Sequence, residues 1–88
     1  MKLSDFFAPP LVVRDAEFEH LGRVDSAAPG TLAFADAPVF ARIAADNPNV
    51  SALIVPEHLL PTVVGTTGAT ISREPRSDFY RVHERLVR

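Results

Sequence analysis

Residues 29–56 read PGTLAFADAPVFARIAADNPNVSALIVP, and a change of period inside this stretch decides the fold. Pro29 fixes φ and Gly30 permits a positive one, as a type II turn requires. TLAFA (31–35) follows as a short buried strand. At DAPVFARIAADN (36–47) the apolar spacing becomes helical. Val39, Phe40, Ile43 and Ala44 fall on one stripe, Pro38 suits the first turn, and Asn47 followed by Pro48 is a stop. VSALIVP (50–56) has no polar partner face after Ser51, so it reads as a strand covered on both sides and ended by Pro56. Strand, helix and strand in this order predict a right-handed crossover unit within an α/β sheet.

The flanks extend that unit. Leu3 to Phe7 allow one helical turn with Ser4 as its cap, after which Pro9 and Pro10 force the chain extended. Apolar spacing from Leu11 to Val13 and from Phe18 to Val24 fits two half-buried strands, with Asp15, Ala16 and Glu17 between them. Beyond the unit, Glu57 to Leu60 add a helical turn before Pro61. TVVGTTGATIS (62–72) reads as one or two short strands broken by Gly65 and Gly68. Pro75 starts a second helix whose Phe79, Val82 and Leu86 form an inward stripe. The expectation is one α/β domain over 1–88, a small sandwich of a short mixed sheet with two main helices.

A chain of 88 residues can build one modest core, and 47% hydrophobic with 23% charged residues is a globular composition rather than a disordered one. The formal net charge of -2 argues against nucleic-acid binding, which draws its affinity from neutralised phosphates. Arg73, Arg76, Arg81, Arg85 and Arg88 are interleaved with Glu74, Asp78 and Glu84, as on a solvated helix face. There is no cysteine, which removes disulfides, thiolate metal sites and cysteine nucleophiles together. The N-terminal MKLSDFFAPPLVV carries no unbroken apolar run, so neither a signal peptide nor a membrane span is expected, and the default compartment is the cytoplasm.

His20, His58 and His83 have no metal-ligand spacing, and no serine sits in a nucleophile elbow. No catalytic residue, metal or cofactor is therefore expected. GTTG (65–68) could cradle a phosphate only if it opened a helix, whereas the residues after it predict a strand. NVS (49–51) matches a glycosylation acceptor by chance in a chain without a secretion signal.

Phe34 and Phe40 remain. A strand end feeding a helix in an α/β sheet is where ligands commonly bind. Two rings placed there could sandwich a planar base, each stacking contact contributing on the order of 1–3 kcal/mol. The alternative reading is two core phenylalanines.

The run FEHLGRVDSAAPGTLAFADAPVFARIAADNPNVSALIVPEH (18–58) resembles the N-terminal, non-repeat domain of the UDP-3-O-acylglucosamine N-acyltransferases of lipid A biosynthesis in Gram-negative bacteria. In that family a Pro-Gly leads to an L-S-F-L-x-N-P-x-Y segment, a helix, a strand ending V-I-V, and an Asn-Pro that opens the last helix. The counterparts here are Pro29-Gly30, LAFADAPVF, ALIV and Glu74-Pro75. Muramyl ligases share a weaker version of the Pro-Gly motif.

The resemblance implies a uracil site. The family's Phe falls on Phe34 and its Tyr on Phe40, which keeps a π face and loses a hydroxyl. The family's Asn falls on Ala37, which removes an amide from the base edge, and Asp36 stands beside it with a carboxylate. Catalysis in that family belongs to a C-terminal domain of hexapeptide repeats, and no such repeat occurs in this chain. What the resemblance implies is a UDP-sugar recognition domain that is non-catalytic by itself, related to or excised from such an N-acyltransferase. Its partners would be a UDP-sugar and a hexapeptide-repeat acyltransferase domain or other protein. A second reading is a protein interaction module with a decayed ligand site, docking through the C-terminal helix.

Overall fold

The computed structural model describes residues 1–25, 28–63 and 67–87. In chain order they form β1 (Val12–Arg14), β2 (His20–Leu21), β3 (Thr31–Phe34), α1 (Pro38–Asp46), β4 (Val50–Val55), β5 (Gly68–Ile71) and α2 (Pro75–Leu86), with short 3-10 turns at Leu3–Asp5, Pro9–Leu11 and Glu57–Thr62. The strands make one five-stranded sheet in the order β1-β5-β4-β3-β2. β2, β3, β4 and β5 run parallel to one another, and β1 closes one edge antiparallel to β5. The fold is α/β, a mixed sheet with two main helices.

Alternation along the central strands divides the core in two. Ala33, Leu53 and Val55 join Ala41 and Ala44 of α1 on one side, while Leu32, Ala52 and Ile54 join Val82 of α2 on the other. Successive strand side chains leave opposite faces, so β4, buried along almost its whole length, feeds both layers.

Gly30 takes its positive φ of 79° ahead of β3, in the conformation that the Pro-Gly pair was read to require. Pro38 opens α1 with Ala37 as its N-cap, and Asn47 caps the other end. The Asn47 side chain holds that end by donating to the Val24 carbonyl at 3.1 Å and accepting the Asn49 N–H at 3.0 Å.

The face that α1 buries differs from the expected stripe. Ala41 and Ala44 are buried and Ile43 is partly buried, whereas Val39 and Phe40 are 56% and 44% exposed. Ala33 and Ala35 line the sheet beneath, and methyl groups on both surfaces let the backbones approach closely. Larger side chains are left for the helix flank.

On α2, Val82 is buried and Phe79 packs against the core as expected, but Leu86 is 38% exposed in the last turn. The helix start is braced from outside. The Ser72 hydroxyl accepts the Glu74 N–H at 3.0 Å and donates to the Asp78 carboxylate, which also pairs with Arg81 at 3.3 Å.

At the N-terminus the short turn is not capped by Ser4. Lys2 precedes it, and the Lys2 N–H is taken by the Asp5 carboxylate at 2.9 Å. The Ser4 hydroxyl donates instead to Asp15 at 2.6 Å, tying the turn to the segment after β1. Leu3 is thereby buried, and Phe6 meets Phe18 at 5.8 Å with the Arg85 guanidinium 4.7 Å from the Phe6 ring.

Of the two early strands, β1 has the expected length but lies one residue further on, β2 is much shorter than the apolar spacing from Phe18 to Val24 suggested, and the two lie at opposite edges of the sheet. Gly68 opens β5, so the end of GTTG leads into a strand. Positions 65 and 66 of that motif lie outside the described residues. Among the described residues no helix is long and apolar enough to cross a membrane.

Candidate functional site

Because β2, β3, β4 and β5 are parallel, their carboxyl ends share one end of the sheet, and both helices start there. α1 then runs over one face and α2 over the other. The gap above the end of β3 is therefore flanked by the first turns of both helices. It forms a cleft of about 330 Å³. β3 supplies Phe34, the loop to α1 supplies Asp36, the first turn of α1 supplies Phe40, α2 supplies Arg76, Phe79 and Tyr80, and the chain after β2 supplies Gly22 to Asp25.

Phe34 leaves the sheet on the α2 side, half-buried. Its ring meets Phe79 at 5.0 Å between centroids with the planes tilted by 51°, and Phe79 in turn meets Tyr80 edge-on at 5.7 Å. The Arg76 guanidinium carbon stands 6.0 Å from the Phe34 centroid, at the outer limit of a cation–π contact. Phe40 reaches the same cleft from the opposite helix with 44% of its surface open.

Of the residues singled out by sequence, Phe34, Asp36 and Phe40 come together in this cleft. Ala37 does not. It is the α1 N-cap, and its carbonyl accepts the Phe40 N–H at 3.1 Å and the Ala41 N–H at 3.2 Å. The β-extended Ala37 has no side-chain oxygen with which to hold a helix amide.

Four charged groups reach the cleft. Arg23 and Asp25 pair with each other at 3.2 Å, with side chains 80% and 49% exposed, so the bond is screened and contributes little stability. Arg76 and Asp36 take part in no hydrogen bond or ion pair among the described residues. A cation and a carboxylate are thus left to face solvent across aromatic walls.

A second hollow, at the other end of the sheet, is bordered by Asp46, Asn47, Ser51 and Thr67. The Ser51 hydroxyl and the Asn47 amide there are already committed, since Ser51 donates to the Glu17 carbonyl at 3.0 Å and Asn47 holds the α1 end. His20, His58 and His83 are scattered over β2, the turn after β4, and α2. Among the described residues no three His, Asp or Glu side chains converge where a metal ion could be held.

Compared with known protein families and with curated proteins, the chain matches none.

Sequence reading missed the α2 wall. Phe79 looked like a core residue and Arg76 like part of a solvated face, and both descriptions are partly right. The available signal was position: both occupy the first turns of a helix that must begin at the carboxyl end of a parallel sheet, where side chains lean back over the strand ends.

Proposed function

We propose that the chain is a nucleotide-sugar recognition domain, similar to the N-terminal part of the UDP-3-O-acylglucosamine N-acyltransferases, and that it binds without catalysing acyl transfer. The observation that carries this reading is the convergence of Phe34, Asp36 and Phe40 on one aromatic cleft at the carboxyl end of β3. Phe34 approaches the cleft from β3, Asp36 from the loop after it and Phe40 from α1.

The chemistry suits a planar ligand. Phe34 and Phe40 offer π faces, and base–aromatic stacking contributes about 1–3 kcal/mol per base. A cavity of about 330 Å³ lies at the lower end of small-molecule pockets, enough for the base and part of what is attached to it. The remainder of a nucleotide sugar would extend into solvent, where a hexapeptide-repeat domain of the kind found in the resembling family would meet it. On this reading the domain works in the cytoplasm, in lipopolysaccharide synthesis.

Titration of the isotope-labelled chain with UDP and UDP-N-acetylglucosamine tests the proposal. Chemical-shift changes should centre on Phe34, Asp36 and Phe40, and Phe40→Ala should weaken binding while leaving the fold intact, because that side chain is 44% exposed. Unchanged spectra at millimolar nucleotide would refute it.

A second reading is a protein interaction module with a decayed ligand site. Ala37 in place of the family's Asn favours it, as do the exposed side chains of Val39 and Phe40 at the start of α1 and of Tyr80 in the second turn of α2. Silence in the same titration is the outcome it requires.

A further inference from the structure

The two charges of the cleft that have no ion-pair partner among the described residues come from different elements, Asp36 from the loop after β3 and Arg76 from the first turn of α2. Lining the same cleft, they form no ion pair with each other. Arg23 and Asp25 cancel one another at 3.2 Å, so the polarity of the site is set by Asp36 and Arg76. An ionised carboxylate only accepts hydrogen bonds, and a guanidinium only donates.

We propose that this charge separation fixes the ligand's orientation: Arg76 receives the anionic phosphate end of a nucleotide, and Asp36 accepts a hydrogen bond from the N–H edge of its base. The proposal rests on the reading of the cleft as a nucleotide site and assigns roles to Arg76 and Asp36 that the family resemblance did not supply. Arg76 is suited to the task because its guanidinium lies near the Phe34 ring, where a stacked base would bring its attached phosphates within reach. Asp36 replaces the missing amide at position 37 with a group of narrower specificity. It tolerates uracil through N3–H, and it would be repelled by a base edge that presents only acceptors.

Arg76 is thus the residue that distinguishes a nucleotide from a nucleoside, and Asp36 the residue that senses N3–H. Calorimetry with UDP, uridine and N3-methyluridine tests both assignments on the wild type, Arg76→Gln and Asp36→Ala. Wild type should prefer UDP over uridine by about tenfold or more, the size of one charge-assisted contact. Arg76→Gln should bring that ratio close to one and leave uridine binding unchanged. Wild type should also prefer uridine over N3-methyluridine by about threefold to tenfold, a preference that Asp36→Ala should abolish.

An equal loss of UDP and uridine binding in Arg76→Gln would show a merely structural role and overturn the orientation. Persistence of the N3-methyl discrimination in Asp36→Ala would overturn it as well. Tight uridine binding with no preference for UDP would refute the role of Arg76 while leaving the nucleotide site standing. Absence of binding by all three ligands would refute the site and the orientation together.

Discussion

Gly68 is where the antiparallel edge of the sheet is most sensitive to one added methyl group. A Cβ built there overlaps the Cβ of Ala16 and stands 3.2 Å from the Arg14 carbonyl oxygen and 3.3 Å from the Ala16 amide nitrogen. Two of those three neighbours are backbone atoms, so rotamer changes cannot relieve Gly68→Ala. The segment 14–16 must move away from β5. That segment follows a ladder in which Val12 faces Thr70 and Arg14 faces Ala69, and Arg14 Nε donates to the Thr67 carbonyl at 2.6 Å. Overpacking of this kind costs about 1–3 kcal/mol. For a chain of this length each kcal/mol moves Tm by about 4–8 °C, so the expected fall is about 4–24 °C. Urea denaturation followed by circular dichroism should show a lower midpoint with an unchanged m value. Ala16→Gly removes the closest of the three contacts. Alone it should destabilise, because Ala16 packs against the α2-side core and glycine loses more entropy on folding. Combined with Gly68→Ala it should recover about 1 kcal/mol relative to the sum of the single effects, since neighbours that clash do not add. A Gly68→Ala protein within 0.5 kcal/mol of wild type, or strict additivity in the pair, would refute the close approach.

Ile54→Ala should lower the unfolding free energy by about 2–5 kcal/mol in urea melts, because Ile54 is 0% exposed near the carboxyl end of the central strand β4 and its loss leaves a cavity under α2. The Asp15 carboxyl should titrate below the ordinary carboxylate range, chiefly because the Ser4 hydroxyl donates to it, with the Ser4 and Ala16 amides adding to the effect. Its folded-state pKa is depressed, so its contribution to stability is complete above the unfolded carboxylate pKa and is lost as pH falls through the lower folded value; carbon-detected NMR titration should show the pKa rising in Ser4→Ala. Ala37→Asn should tighten UDP binding by about threefold to tenfold in calorimetry if the restored amide reaches the base edge. Because Ala37 is an N-cap with no side-chain bond, Asn should also stabilise the fold by about 0.5–2 kcal/mol, and a rise in stability with unchanged UDP affinity would show that the amide serves the helix alone.

The strand, helix and strand of residues 31–55 were legible because each is determined locally. Period two gives way to period 3.6 at Pro38, Asn47-Pro48 stops the helix, and the uninterrupted apolar run of β4 has only one economical place in a sheet, its middle. The strand-to-helix connection also pointed to Phe34 and Phe40 as neighbours, and the family resemblance added Asp36 and Ala37, of which only Asp36 lines the cleft. What it did not determine was which side of α1 turns inward. Val39 and Phe40 looked like core by hydrophobicity, yet the tertiary structure buries Ala41 and Ala44, because small side chains on helix and sheet allow the closer approach and the larger ones fit only at the flank. Nor could it set β1 and β2 at opposite edges, or bring Arg76 and Phe79 onto Phe34 from more than forty positions away. Those placements depend on pairing between distant segments, whose free energy is gained only when the whole sheet closes, and no local pattern of residues records it.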